Sequence, residues 1–260
     1  MDMKYKKIGI ISTTKPGAFE RKKELIKRFS FIDYESNKDQ EIDLLVTLGG
    51  DGFLLHSLHT YQFLKIPIYG VNYGTVGFMM NLDSDNLLKS IEESVETILY
   101  PLQMRAIDVD NICHSYIAIN DVYLWRQKNQ AAKIEINVNN KVRVEQLICD
   151  GILVATPAGS TGYNLSLKGT IIPFGSRSLA LTPISPFRPR SWNGAILPED
   201  SVFKFKVSDP YNRPVSASAD FFEVKNIKEV EVFQLKSRDF RILSDKDHTL
   251  EERIIREQFL

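Results

Sequence analysis

The rhythm of hydrophobic and polar positions changes once along this chain, near residue 98. Before that point, short aliphatic runs alternate with stretches of helical spacing. Residues 7–12, 43–48 and 67–72 have the near-continuous apolar character of strands buried on both faces. Between them, residues 21–29 read as a short charged helix, and residues 53–64 repeat apolar positions at Leu54, Leu55, Leu58 and Phe63. Residues 86–95 predict a further helix, capped by Ser84 or Asp85. Strands alternating with helices predict βαβ units around a parallel sheet. After residue 98 the helical spacing gives way to strand patterns at 102–109, 116–124, 132–138, 141–147, 151–155, 201–207, 214–219 and 228–234. Asn139-Asn140 has the composition of a two-residue hairpin turn. The expected organisation is an α/β domain over residues 1–97, an antiparallel β domain over 98–244 and a tail over 245–260. In the tail, Leu250, Ile254, Ile255 and Phe259 recur at helical spacing, so it is expected to pack back on the body.

Composition narrows the class without changing that picture. With 260 residues, 43% of them hydrophobic and 25% charged, the chain has ample material for a buried core. Its 33 Lys and Arg balance 33 Asp and Glu, so no net field draws it to nucleic acid or to an anionic membrane. The cysteines, Cys113 and Cys149, make neither a disulfide framework nor a zinc site, which points to a reducing cytoplasm. No run approaches the roughly 18 apolar residues of a membrane helix, and residues 8–11 are too short for a secretion signal. Neither nucleic acid nor membrane is expected as a partner.

Chemistry gathers in four stretches. The first is Leu48-Gly49-Gly50-Asp51-Gly52, a glycine-rich turn between a buried strand and a helix, where backbone N–H groups are open to an anion. It lacks the Gly-Lys-Ser/Thr of a Walker A loop and is not GxGxxG. It offers instead one carboxylate beside a phosphate seat, and Asp51 there can hold Mg²⁺ or another divalent cation, or take a proton from an attacking hydroxyl. A plain turn with Asp51 capping the following helix is the competing reading. The second stretch, Asn72 to Phe78, ends another buried strand with glycines, and ligands in open α/β sheets sit outside the carboxyl ends of strands. Phe78 or Tyr73 suits stacking on a ring or packing in the core. The third is Asn120-Asp121, an amide and a carboxylate that suit an adenine edge and are equally at home in a turn. The fourth runs from Asp150 to Ser166, where an apolar strand enters a turn of small and hydroxylated residues before Tyr163, Asn164 and Ser166.

Taken in order, GGDG, NYGTVGF, ND and D-G-x-x-x-A-T-P-x-G-S-T-x-Y-N-x-S resemble the NAD kinase family, over nearly the whole chain. The proline-rich stretch from Leu181 to Arg190 resembles that of bacterial members. The resemblance implies a Rossmann-like α/β domain with a parallel sheet, followed by an antiparallel β-sandwich-like domain. It implies transfer of a phosphoryl group from ATP, or polyphosphate, to the 2′-hydroxyl of the adenosine ribose of NAD, and a homodimer or homotetramer. Asp51 matches the catalytic and metal-binding carboxylate. Gly50, Gly52, Phe78, Asn120, Asp121, Asp150, Ala158, Ser160, Thr161, Gly162, Tyr163, Asn164, Ser166 and Asp220 match nucleotide-binding positions. Ala158 stands where many members have serine, and Phe221 where a polar turn is usual. Because phosphoryl transfer passes through a loose transition state, Asp51 is expected to orient groups more than to pull off a proton, with its basicity lowered by the helix dipole. GGDG also occurs in lipid kinases and phosphofructokinases, and a non-catalytic NAD sensor is a further alternative. The lipid reading lacks an apolar entry surface, and the sensor has no use for Asp51. His56 and His59, at i and i+3, read as partly buried or surface residues, Cys149 as a small core residue, and residues 183–198 as an extended loop or subunit contact.

Overall fold

The computed structural model describes residues 4–75, 77–190 and 192–259, so Val76 of the second glycine loop lies outside the described residues. The chain forms two compact units, Met1–Leu99 with Asp239–Arg256, and Tyr100–Arg238 with Glu257–Leu260. No helix among the described residues is long and apolar enough to cross a membrane.

The first unit is built on a six-stranded sheet in the order Ile32–Asp33, Ile8–Ser12, Leu44–Gly49, Ile68–Asn72, Phe240–Ser244, Val95–Leu99. All neighbours are parallel except the last pair. Ile8–Ser12 and Leu44–Gly49 are buried along their whole length, as unbroken aliphatic runs demand. The helices Pro16–Phe29 and Asp51–Thr60 follow the strands from which the chain emerges. Because these strands run the same way, the loops after Ser12, Gly49 and Asn72 leave from one sheet edge. There the Tyr73 N–H donates to the Gly49 carbonyl at 2.6 Å, joining the two glycine-bearing loops.

Two expectations for this unit are corrected. The helix predicted over 86–95 covers only Leu87–Glu92, and Val95–Leu99 is an edge strand. The β-branched Val95, Thr97 and Ile98 find their partner in Phe240–Ser244, a strand about 140 residues later in the chain. That strand also moves the boundary. Residues 239–244 were expected in the β domain, but they complete the first sheet, and the tail helix Leu250–Glu257 follows them there with Leu250 and Ile254 buried.

The second unit is a sandwich of two six-stranded sheets. One is ordered Lys141–Cys149, Ala132–Val138, Phe203–Val207, Ile227–Gln234, Leu102–Asp108, Cys113–Ala118. The other is ordered Ala195–Pro198, Ser178–Ile184, Gly151–Ala155, Asp121–Arg126, Val215–Ala219, Phe222–Val224. Alternating residues of both sheets, among them Met104, Ile136, Phe205, Leu124, Val154 and Ala217, fill one shared core. Asn139 and Asn140 have φ of 53° and 60°, which makes the expected hairpin turn type I′. The single strand expected over 116–124 is two, Cys113–Ala118 in one sheet and Asp121–Arg126 in the other, with Ile119-Asn120 at the crossing. Part of the proline-rich stretch, read as a loop, is strand Ser178–Ile184. Its Pro183 lies beyond the last pair with Ala195–Pro198, where no neighbour needs its missing N–H.

Close approach of strands fixes Gly151, since a Cβ there would stand 1.9 Å from the Leu124 carbonyl oxygen. Gly151→Ala is expected to lower stability by at least about 2 kcal/mol, read from the urea midpoint. An unchanged midpoint would show that the sheet yields freely at this point.

Candidate functional site

The site residues fall into two sets, one in each unit. In the first unit Leu44–Gly49 delivers the chain to Gly50 in extended conformation, and Asp51 opens the following helix. Gly49 packs against Phe53, which a Cβ would meet at 2.7 Å, whereas a Cβ on Gly52 would meet no atom within 4 Å beyond its own turn of helix. Packing therefore does not require glycine at 52. Open space beside the first amides of a helix, which have no partners within it, is what an approaching anion needs.

The Asp51 carboxylate is not loose in that space. Its Oδ2 accepts the Phe78 N–H at 2.7 Å and its Oδ1 accepts the Met79 N–H at 2.8 Å. Burial pushes the carboxyl above the usual carboxylate range, against the downward pull of the Met79 and Phe78 amides and of the Arg253 guanidinium. The expected lowering of its basicity is thus reversed, because loss of water outweighs the hydrogen bonds.

In the second unit the sheet crossing presents Asn120 and Asp121. Asp220, at φ 50° in the turn between Val215–Ala219 and Phe222–Val224, turns its carboxylate onto the backbone of the crossing. Its Oδ2 accepts the Ile119 N–H at 2.7 Å, and its Oδ1 accepts those of Asn120 and Asp121 at 3.0 and 3.2 Å. Thr156 ties the other side: its N–H donates to the Asn120 carbonyl at 2.9 Å, its hydroxyl donates chiefly to the Ile119 carbonyl at 2.7 Å, and the hydroxyl oxygen accepts the Gly159 N–H. Gly159 has no alternative, since a Cβ would lie 2.1 Å from the Asn120 oxygen. Within this frame Asn120 Oδ1 is buried with no protein donor among the described residues. Burial, and after it the charge of Asp220, push the Asp121 carboxyl up to about 7. An orphaned amide oxygen beside a buried carboxyl is a receptor for an amine edge such as that of adenine.

Family models match both units. Residues 2–98 match the ATP-NAD kinase N-terminal domain and residues 119–229 the ATP-NAD kinase C-terminal domain. An NAD kinase of Rickettsia bellii is 46% identical over 258 residues, 99% of either chain, and one of Rickettsia felis is 49% identical over 227 residues, 87% of this chain and 89% of its own. The chain belongs to the NAD kinase family. It is an enzyme that phosphorylates NAD. Two solved structures share the fold at 22% identity: a yeast NADH kinase complexed with NADH, and an NAD kinase from Archaeoglobus fulgidus in complex with ATP. The TM-scores are 0.80 and 0.74; each match covers 98% of this chain, with 87% of the yeast chain and 97% of the archaeal one.

Within the two units the expected residues divide by what their polar atoms already do. Gly50, Asp51, Gly52 and Phe78 stand together in the first unit. In the second, Asn120, Asp121, Ala158, Thr161, Gly162 and Tyr163 cluster at one end of the strand Gly151–Ala155. Ser160 and Asn164, expected among the nucleotide contacts, are fully buried and committed elsewhere. The Ser160 hydroxyl donates to the Pro157 carbonyl and accepts the Ile172 N–H, while the Asn164 amide donates to Ser160 and Thr170 and accepts from Thr182. These bonds hold the loop, and Asp220 acts in the same way on the crossing. Ser166 is exposed. Asp150 lies at the far end of the same strand and accepts from Arg126 at 2.5 Å, a partner the sequence pattern does not reveal. Tyr163 packs edge-on against Tyr123, with ring centroids 5.4 Å apart. Those rings, with Trp125, Phe221 and Glu223, border a depression of about 450 Å³. The departing Phe221 thus adds an aromatic wall. His59 is buried against Phe240, and no group of three His, Cys, Asp or Glu side chains that could hold a metal occurs among the described residues.

An acid raised on folding costs stability where it ionises. Between the ordinary carboxylate value and about 7, folded Asp121 keeps a proton that the unfolded chain releases, so stability falls as pH rises through that window. Asp121→Asn is therefore expected to raise the melting temperature more at pH 8 than at pH 5. An equal change at both pH values would contradict the buried-carboxyl reading.

Proposed function

We propose that this enzyme joins the γ-phosphorus of ATP to the 2′-oxygen of the adenosine ribose of NAD, with Asp51 as its catalytic carboxylate. The observation that carries the assignment is the fixed pose of that carboxylate, gripped by the Phe78 and Met79 amides at the mouth of a glycine turn. The new P–O bond forms as the bond from the γ-phosphorus to the β,γ-bridging oxygen breaks. ADP leaves with that electron pair, and the hydroxyl proton passes to Asp51 or to water, giving NADP. A loose transition state leaves the nucleophile little activated, so the contribution of Asp51 is to aim the hydroxyl. Its raised basicity lets it receive the proton late.

A divalent cation such as Mg²⁺ fits this donor set, because Mg²⁺ is held by one or two carboxylates plus substrate phosphates and water. Asp51 alone would contribute from the protein, each oxygen keeping a lone pair beyond its amide bond. When bound, the cation neutralises charge on the phosphates. Asn120 Oδ1 and Asp121 take the adenine amine edge, and Tyr163 and Phe78 supply ring faces. Inorganic polyphosphate as an alternative donor, a cytoplasmic location and a homo-oligomer belong to the same reading. The free thiols Cys113 and Cys149 support the second, and exposed Phe187 and Ile196, within residues 183–198, support the third.

Asp51→Asn keeps the shape and loses the charge. It is expected to lower NADP formation by at least about 10³-fold while NAD binding, measured calorimetrically, stays within about threefold of wild type. Turnover close to wild type would remove Asp51 from the mechanism.

A further inference from the structure

The amides that hold Asp51 belong to a loop that is itself gripped from behind. The C-terminal helix Leu250–Glu257 docks on the first unit through Leu250 and Ile254 and brings Arg253 to the loop after Gly77. Arg253 Nη1 donates to the Phe78 carbonyl at 3.1 Å and to the Met80 carbonyl at 2.5 Å, and Nη2 donates to Asn81 Oδ1 at 2.9 Å. Asn81 is fully buried and anchors the loop to its surroundings. Its main chain exchanges bonds with Asn72 and Gly70, its Nδ2 donates to the Leu243 carbonyl at 2.9 Å, and its Oδ1 also accepts the Asp245 N–H at 3.0 Å. Asp245 in turn accepts the Tyr69 hydroxyl at 2.5 Å, and the charges of Asp245 and Asp51 favour the protonated guanidinium against its burial.

The geometry of one peptide unit joins this grip to the site. The Phe78 carbonyl and the Met79 N–H belong to the same planar, trans peptide, so they point in opposite directions and cannot turn independently. Arg253 holds the carbonyl end, and the N–H end donates to Asp51 Oδ1. A charged donor on the carbonyl also polarises the peptide and strengthens the bond made by its N–H. Docking of the helix alone asks only for Leu250 and Ile254, whereas a forked guanidinium on this peptide, the Met80 carbonyl and Asn81 determines orientation.

We propose that Arg253 is a positioning residue for phosphoryl transfer, setting the Asp51 carboxylate through the Phe78–Met79 peptide; this rests on the assignment of Asp51 made above. Removing Arg253 frees that peptide to rotate, and a misplacement of about 1 Å at a reacting group is worth about 10²-fold in rate. The chain's last helix is then part of the catalytic apparatus although it touches no substrate.

The test compares the full-length Arg253→Ala, Arg253→Lys and Asp51→Asn enzymes in steady-state NADP formation, with and without a few millimolar guanidinium. Arg253→Ala is expected to lower kcat at least about tenfold with the KM values for NAD and ATP within about twofold. Added guanidinium is expected to restore several-fold of that loss, and to restore nothing in Asp51→Asn. Arg253→Lys, a single point charge in place of the fork, is expected to fall between wild type and Arg253→Ala in kcat. If Arg253→Ala does not fold, the lysine variant decides alone: reduced kcat at unchanged KM supports the proposal, and wild-type kcat overturns it. Wild-type kcat in Arg253→Ala beside an inactive Asp51→Asn overturns the role of Arg253 and leaves that of Asp51 standing. Wild-type turnover in Asp51→Asn overturns the Asp51 assignment itself, and this proposal with it.

Discussion

Two backbone amides, those of Phe78 and Met79, hold one carboxylate in place at the start of a helix. That interaction is the constraint on which the first unit is arranged. A carboxylate at a helix entrance is electrostatically comfortable, and left to itself it would cap the helix or point to water. Here burial raises its proton affinity, and both oxygens are committed to a loop from the next strand over. The loop can meet Asp51 because Leu44–Gly49 and Ile68–Asn72 are parallel neighbours whose ends share an edge. Their turns are cross-linked by Tyr73 and Gly49. The carboxylate is therefore aimed before any substrate arrives, which is how a protein contributes to a reaction that demands position more than proton abstraction.

The second unit solves a related problem with the opposite sign. There, the half-buried carboxylate of Asp220 gathers three successive N–H groups at a sheet crossing, so the side chains of Asn120 and Asp121 are not needed to satisfy that backbone. Positive φ at Asp220 and the bare backbone of Gly159 are the local means by which strand ends come close enough to do this. The cost is a buried carboxyl at 121 that water no longer stabilises. Under the proposed function a bound amine edge would supply the donors the protein withholds from Asn120 Oδ1 and Asp121.

Much of this was legible in the chain. The buried strands, the glycine turn at 48–52 and the type I′ turn all follow from local rules of backbone freedom and patterning. What escaped depends on partners distant in sequence. Val95 reads as the end of a helix, and the residues after it as no element, until Phe240–Ser244 arrives beside them. Asn120 reads as mid-strand because apolar alternation continues through a crossing between sheets. Ser160, Asn164 and Asp220 carry motif identities that suggest contact, while the backbone and side-chain bonds their polar atoms make are with partners the sequence pattern does not name. Arg253 left a faint trace, one basic residue within the helical repeat of Leu250 and Ile254, and nothing in its neighbourhood of sequence names the peptide it grips.

The central claim is that the place of the Asp51 carboxylate, and not merely its charge, supports the reaction. Asp51→Glu separates the two, since it keeps the charge and moves the oxygens outward by one methylene, away from the Phe78 and Met79 amides. The direct measurement is the single-turnover rate of NADP formation by rapid quench with NAD and ATP saturating. The account predicts that Asp51→Glu falls to about 1% of the wild-type rate or below, with NAD still bound. A rate near wild type would show that a negative charge anywhere in this region suffices, and would contradict the account.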